Sequence, residues 1–545
     1  MPASDAAPAP DPTPAQQEAI DLCRAALGRF QPVLLQGITG SGKTEVYLRA
    51  IDVVVASGRQ ALLLVPEIAL TPQLHDLVRA RFPRANVVAV HSGMAEGVRA
   101  AAWLAAQRGA AAIVLGTRLA VLMPFRDLGL IVVDEEQDPS YKQQDGVRYS
   151  ARDVAVRRAQ LSAIPVILGS ATPSLESYAN AIEGRYALAK LPVRAAGAEL
   201  PRIRTIDTRA DRPTDGLTHG LVAAIAKRLE AREQSLVFIN RRGFAPVLHC
   251  RTCLWHSTCT RCSANLVLHR AAAELRCHHC GHRERMPATC PSCGGGDLAP
   301  LGQGTQRIEA GLQAAFPQAR IARVDRDVTR RKGALQAVLD DVREERVDVL
   351  VGTQMLTKGH DYPGLTLVGV IGADNALFSA DFRAAERLFA QLVQVAGRAG
   401  RSTRRGEVLI QTEFPGHPLY AAAATQDFDA FAATELVQRR AAGFPPFAHL
   451  AMLRAESKNS GEALAFARAA ARTANRVAGT GAEVDVFDAV PAALERKAGF
   501  ERAQLLVRAR SRKHFQPFLH AWADALARAG VKRVRWSIDV DPQET

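Results

Sequence analysis

The stretch GITGSGKT, residues 37 to 44, leaves this chain few choices of fold. A turn of the form G-x-x-x-x-G-K-[ST] works only where a strand ends and a helix begins, because its backbone N–H groups must converge at a helix N-terminus. The context fits: VLLQ precedes it and EVYLRAIDVVVA follows. Strands that alternate with helices in this way form a parallel sheet covered on both faces, so an α/β fold is expected. The chemistry is phosphate binding by Gly37, Ile38, Thr39, Gly40, Ser41 and Gly42, with Lys43 adding charge at the β/γ-phosphates and Thr44 holding Mg²⁺.

Short apolar runs continue through ALLLV, VVAV, AAIVLGT, LGLIVVDEE and IPVILGSAT, and a second series from SLVFIN to EVLIQT begins after about residue 200. Two parallel-sheet lobes follow. The last hundred residues read β-α-β-β-α-β, the ferredoxin-like plan. The expected division is a flexible Ala/Pro leader at 1–12, lobe one at 13–195, and lobe two at 196–249 and 294–425. A cysteine-rich insert occupies 250–293 and an α+β domain 426–545. The opening residues lack the basic and apolar regions of a secretory signal, and no apolar run approaches a membrane span, so a cytoplasmic protein is expected.

Two further motifs complete a hydrolytic set. LGLIVVDEEQ ends an apolar strand in carboxylates: Asp134 can bind Mg²⁺ through water and Glu135 can accept a proton from the attacking water. QVAGRAGR, residues 394 to 401, carries two arginines beside glycines, which suits arginine fingers reaching across a cleft to a γ-phosphate.

Of nine cysteines, eight lie between Cys250 and Cys293 as four Cys-x-x-Cys pairs. A large chain without an export signal keeps thiols reduced, so zinc is indicated and disulfides are not. Four pairs make two sites in one of three pairings. Pairs two and three stand 14 residues apart, an ordinary knuckle spacing, while pairs one and two stand only five apart. That favours nesting: Cys259, Cys262, Cys277 and Cys280 on one zinc, Cys250, Cys253, Cys290 and Cys293 on the other. Arg251, Arg261, Arg270 and Arg276 give the insert a basic face, and the chain's net charge of +14 suits a polyanionic partner.

Taken in order across two lobes, GITGSGKT, DEEQ, GSATPS and QVAGRAGR resemble a superfamily-two helicase. More narrowly, VPEIALTPQ (65–73), GTRLAV (116–121), SYKQQDGVRYSARD (140–153), FINRRGFAP (238–246) and GTQMLTKGHDYPGL (352–365) resemble the PriA family of primosomal replication-restart helicases. The resemblance implies RecA-like lobes, nested zinc sites, and an ATP-dependent helicase that moves 3′ to 5′ on DNA and promotes primosome assembly at stalled forks. Implied partners are single-stranded and forked DNA, primosome proteins and single-stranded DNA-binding protein. Gln16 would contact adenine, while Gln394, Arg398 and Arg401 would reach the nucleotide from the far lobe. Tyr141, Lys142 and Tyr149 would sense DNA, with Arg118, Arg241, Arg242 and Lys358 as further DNA contacts.

The sequence departs from that family in three places. Gln137 stands where the family usually has His, and Val147 where it usually has Trp. The phosphate loop also lies close to the first residue, without the DNA-binding modules that generally precede the motor, which puts recognition of a fork's 3′ end in doubt. These departures motivate an alternative, a zinc-stabilised fork-binding scaffold with ATPase but little unwinding. An RNA helicase is a weaker third reading, since the aromatic loop and cysteine spacing belong to the DNA family.

Overall fold

The computed structural model describes residues 10–66, 72–195, 199–240, 247–261, 265–269, 273–277, 281–300, 305–324, 334–353, 362, 364–379, 381–400, 405–479, 483–531 and 533–544. Lobe one is a seven-stranded, all-parallel sheet. Its strands run in the order Val87–Val90, Ile113–Gly116, Gln60–Leu64, Leu128–Asp134, Val166–Ser170, Pro32–Gly37, Ala187–Leu191. Its central strands are apolar on both faces because helices cover both: Leu34, Leu62, Ile131 and Leu168 pack in one layer, Leu35, Leu63, Val132 and Ile167 in the other.

Lobe two is a six-stranded parallel sheet ordered Ile321–Val324, Val349–Gly352, Gln234–Ile239, Leu365–Ile371, Glu407–Thr412, Arg202–Asp207. Between its third strand and its first helix after the insert, strands Leu248–Cys250 and Leu298–Pro300 pair antiparallel and form the neck of the cysteine-rich module. The module holds a three-stranded sheet, Val267–His269, Glu274–Arg276 and Arg283–Arg285. Its core is small: Leu248, Cys259, Leu266, Leu268, Leu275 and Cys277.

The last domain follows the split βαβ plan. Val484–Val486, Phe500–Ala509, His449–Ser457 and Arg535–Val540 form an antiparallel sheet, with helices Glu462–Ala478 and Arg512–Arg528 packed on it. The expected second strand divides in two, because Val490–Lys497 also pairs with Phe500–Ala509 and its register shifts after Pro491, which has no N–H to donate. Trp522 seals the helix pair, fully buried with its indole N–H donating to Ala470 O at 3.1 Å. Among the described residues, no helix is long and apolar enough to cross a membrane.

Candidate functional site: the cleft between the lobes

The phosphate loop leaves strand Pro32–Gly37 at its carboxyl end and enters helix Lys43–Ala56 through Gly42, whose φ of +81° is a left-handed conformation that favours glycine. Gly37 is required for space, since a Cβ there would lie 2.5 Å from Ser41 Oγ and 3.1 Å from Leu191 Cβ. The Lys43 ammonium donates to Gly37 O at 2.9 Å, folded back along the loop. The Ser41 hydroxyl is buried without a partner, the mark of a cradle whose donors are aimed at a ligand.

Gln16 lies beneath the loop. Its amide N–H donates to Ser41 O at 2.8 Å, and its Oε1 accepts from Thr13 N–H at 2.9 Å in a capping box that starts helix Pro14–Ala25. Both ends of the amide are engaged and the residue is 4% exposed. Gln16 is therefore a brace under the loop, and a contact to adenine would have to use the second N–H or second lone pair of the same amide.

Strand Leu128–Asp134 is separated from the phosphate-loop strand by one strand, Val166–Ser170, so its carboxylates emerge beside the loop. Asp134 Oδ1 accepts from the Tyr47 hydroxyl at 3.0 Å. Burial, then the neighbouring Glu135 charge, pushes its carboxyl up to about 6 against the pull of Lys43. Glu135 has a φ of +47°, unusual for a residue with a side chain and of the kind found where a side chain must be aimed. Gln137 Nε2 donates to Glu135 Oε2 at 2.7 Å while its Oε1 accepts from the Ser170 hydroxyl at 2.6 Å. Gln137 therefore joins the Glu135 carboxylate to GSATPS directly.

Lobe two closes the site from the opposite side. Helix Ala384–Ala396 brings Gln394 to the same carboxylate, with Nε2 3.4 Å from Glu135 Oε2. One turn on, Gly397 lies against the phosphate loop so closely that a Cβ there would sit 2.8 Å from Thr39 Cβ. Arg398 follows in the turn after Gly397, and Arg401 lies outside the described residues. Lys43, Asp134, Glu135 and Gln394 thus converge on one crevice, at the carboxyl ends of the lobe-one strands where α/β sheets bind ligands.

Several residues that hold this crevice together escaped the sequence reading. Glu136 is buried and accepts from Ser174 N–H at 2.6 Å, the Ser177 hydroxyl at 3.0 Å and Arg152 at 3.3 Å. Across the lobes, Arg383 makes a bidentate pair with Glu176 at 2.6 and 3.1 Å, and Glu386 accepts from Leu175 N–H at 3.0 Å. These lock the helix after GSATPS to lobe two. The one signal in the sequence was that third carboxylate of DEEQ, too many for Mg²⁺ and water alone.

In the module, the Sγ atoms of Cys250, Cys253, Cys290 and Cys293 all lie within 4.8 Å of one another. The separations Cys250–Cys293 and Cys253–Cys290 are 3.7 and 3.5 Å. Four thiolates about 2.3 Å from a tetrahedral zinc stand roughly 3.8 Å apart, so this cluster fits zinc and joins the outermost pairs as nesting requires. Cys259 and Cys277 are buried together in the module core. Cys262 and Cys280 lie outside the described residues.

Family models match in the same order as the architecture: DEAD/DEAH box helicase over residues 13–181, PriA DNA helicase Cys-rich region over 259–285, Helicase conserved C-terminal domain over 303–403 and Primosomal protein N C-terminal domain over 440–543. The Replication restart protein PriA of Haemophilus influenzae is 42% identical over 515 residues, 94% of this chain and 70% of that one. The chain belongs to the PriA family. Its PriA relative in Treponema pallidum is 40% identical over 97% of this chain and 79% of its own, and that of Bacillus subtilis 41% over 77% of this chain and 52% of its own. The chain therefore carries the two PriA helicase domains and the zinc-binding Cys-rich region.

For the DNA contacts expected of a PriA protein the structure brings a correction. Tyr141 is 2% exposed and its hydroxyl donates to Asp134 O at 2.7 Å, so it buttresses the end of strand Leu128–Asp134 and cannot stack on a base in this arrangement. Lys142, 3% exposed, pairs with Asp539 of the last domain at 2.9 Å. Arg118 is also engaged, holding Ser140 O at 2.8 Å and Lys142 O at 3.2 Å. Arg276 of the supposed basic face is buried between Glu274 and Glu495. Tyr149 is half-buried at the edge of a loop whose tip, Gln144 to Val147, is exposed. Arg241, Arg242, Lys358 and Arg270 lie outside the described residues.

Proposed function

We propose that this chain couples ATP hydrolysis in the interlobe crevice to 3′–5′ movement on single-stranded DNA, binding stalled or branched forks and promoting primosome assembly. One observation carries the reading: lobe two's QVAGRAGR segment touches the phosphate loop through Gly397 and the Glu135 carboxylate through Gln394. A scaffold without a working motor has no physical need for that convergence, and the scaffold alternative loses its ground.

The roles follow from position. Gly37 through Thr44 hold the phosphates, Thr44 and Asp134 hold Mg²⁺, and Glu135, aimed by Gln137 and Gln394, takes a proton from water. Bound Mg²⁺ supplies charge neutralisation on the phosphates. Arg398 and Arg401 stabilise charge on the transferring group from lobe two. Two zinc ions staple the module in the nested arrangement, within the domain limits given above. Replication proteins and single-stranded DNA-binding protein are the partners implied by the family, and a cytoplasmic location is the compartment this work requires.

The test is ATP turnover with and without single-stranded DNA. DNA should stimulate the wild-type chain, and Lys43→Ala should lower turnover by about 10²- to 10³-fold, the loss typical of one preorganised charge at a transition state. Turnover that ignores both DNA and the substitution sinks the reading. Unwinding of forks with and without a nascent 3′ end then decides whether end recognition resides in this chain.

A further inference from the structure

Asp134 and Glu135 fix which way a nucleotide must lie on the phosphate loop. Their strand stands on one side of the phosphate-loop strand Pro32–Gly37, with Val166–Ser170 between, and strand Ala187–Leu191 stands on the other side. A γ-phosphate at the carboxylates leaves the ribose and base to extend the opposite way. Neighbouring strands are about 4.8 Å apart, so the base of an extended nucleotide falls over the carboxyl end of Ala187–Leu191.

The chain leaving that strand closes against the loop. Ile38 N–H donates to Leu191 O at 3.2 Å, and Ala195 N–H donates to Gly40 O at 3.0 Å. Gly42 lies between this segment and Gln16: a Cβ there would stand 3.5 Å from Ala195 Cβ and 2.2 Å from Gln16 Nε2. Arg194 runs along the loop, since a Cβ on Gly40 would meet its Cγ at 3.7 Å, its Cδ at 3.9 Å and its Nε at 4.0 Å. Its Nη1 donates to Glu199 O at 3.3 Å, in the link that leads into strand Arg202–Asp207 of lobe two.

Backbone and side chain divide the work in this segment. The bonds at Leu191 and Ala195 are made by main-chain atoms and fasten the loop whatever side chains stand there. The half-buried side chain of Arg194 is a separate feature, held beside the loop on the side where the base must lie. Guanidinium donors point outward in the plane of the group, so the bond to Glu199 O leaves the faces for a flat partner. A nucleobase is such a partner: it stacks on a guanidinium plane and adds cation–π attraction, and neither depends on the pattern of donors and acceptors along its edge.

We propose that Arg194 is a nucleotide-binding residue whose guanidinium stacks on the base of ATP and favours purines over pyrimidines by the larger face they offer. The proposal rests on the ATP site proposed above and names the group that holds the end of the nucleotide remote from the reacting phosphate.

The experiment measures binding of ADP and of CDP to the full chain by calorimetry with Mg²⁺, for the wild type, Arg194→Ala and Arg194→Lys. Both ligands carry the same phosphates and ribose and differ only in the base. Arg194→Ala should weaken ADP by roughly 5- to 30-fold, the range that a cation–π contact spans from exposed to desolvated, and CDP by a smaller factor, so that the wild type's preference for ADP shrinks toward one. Arg194→Lys keeps the charge and the length of the side chain but loses the plane, and should weaken ADP nearly as far. Equal losses of ADP and CDP in Arg194→Ala would make Arg194 a phosphate contact or a support of the loop, and overturn the proposal. So would wild-type ADP affinity in either variant. A wild-type chain that binds no ADP removes the ATP site itself, whereas a wild type that binds ADP and an Arg194→Ala that binds it equally removes only the role of Arg194.

Discussion

The interlobe crevice and the cysteine module lie side by side and are ordered by opposite means. The crevice is framed by two parallel sheets whose central strands are fully buried, and its polar groups are anchored to strand ends that packing alone fixes. Among its described residues the module has a core of six, two of them cysteines. A segment that small cannot order itself by burial, because the apolar area removed from water does not offset the entropy of fixing the chain. Geometry in the crevice is therefore a property of the fold, while geometry in the module is a property of its metal.

Metal removal should separate the two most widely. Chelation, or Cys290→Ser, takes away a contribution on the order of 10 kcal/mol, enough to unfold the module outright. Limited proteolysis should then cut between residues 250 and 300 while the lobes melt at nearly the same temperature and still bind ATP. Zinc release measured alongside should approach two ions per chain. Simultaneous collapse of the lobes would mean that the neck strands Leu248–Cys250 and Leu298–Pro300 transmit order to lobe two, and the contrast would fail.

The same contrast explains what the sequence could and could not tell. Parallel-sheet lobes were legible because two-faced burial writes itself as unbroken apolar runs, and the phosphate loop because its glycines follow from backbone geometry. The outer cysteine cluster was legible because paired thiols at fixed spacing admit few arrangements. The burial of Tyr141 and Lys142 was not legible because tyrosine and lysine look alike in sequence whether they face solvent or a neighbouring domain. Asp539, which decides the matter for Lys142, lies 397 residues away, and nothing local announces it. Gln16 shows a related limit: an amide can serve a cap, a loop or a base, and its bonds to the cap and the loop were not legible without distances.

Within the crevice, the contact between lobes is narrower than the sheets that support it, so a single side chain tests it. Gln394→Ala deletes the lobe-two donor to Glu135 and should lower kcat by about 10²- to 10³-fold, since on the proposed roles it removes one preorganised dipole from the carboxylate that activates water. KM for ATP should change little, because the phosphate loop and Gly397 contact are retained. A matched rise in KM with kcat preserved would assign Gln394 to binding. Thermal stability should stay within the range of an ordinary partly exposed substitution.

The smallest effect concerns the strain that the crevice carries and the module does not. Burial and Glu135 raise the Asp134 carboxyl from 3.8 to about 6. A folded-state pKa raised above the unfolded value favours the fold in the protonated form, so this group's contribution is fully present below about pH 4 and is lost as pH rises through about 6. Asp134→Asn cannot ionise and should be more stable than the wild type by on the order of 2 kcal/mol at pH 7.5, with the gap closing by pH 4. Urea denaturation at the two pH values, without Mg²⁺, measures it. The variant should also lose hydrolysis, because the anion that burdens the fold is the one proposed to hold the metal. A gap equal at both pH values would place the effect in packing around Tyr47 and not in charge, and the crevice would then differ from the module only in the size of its core.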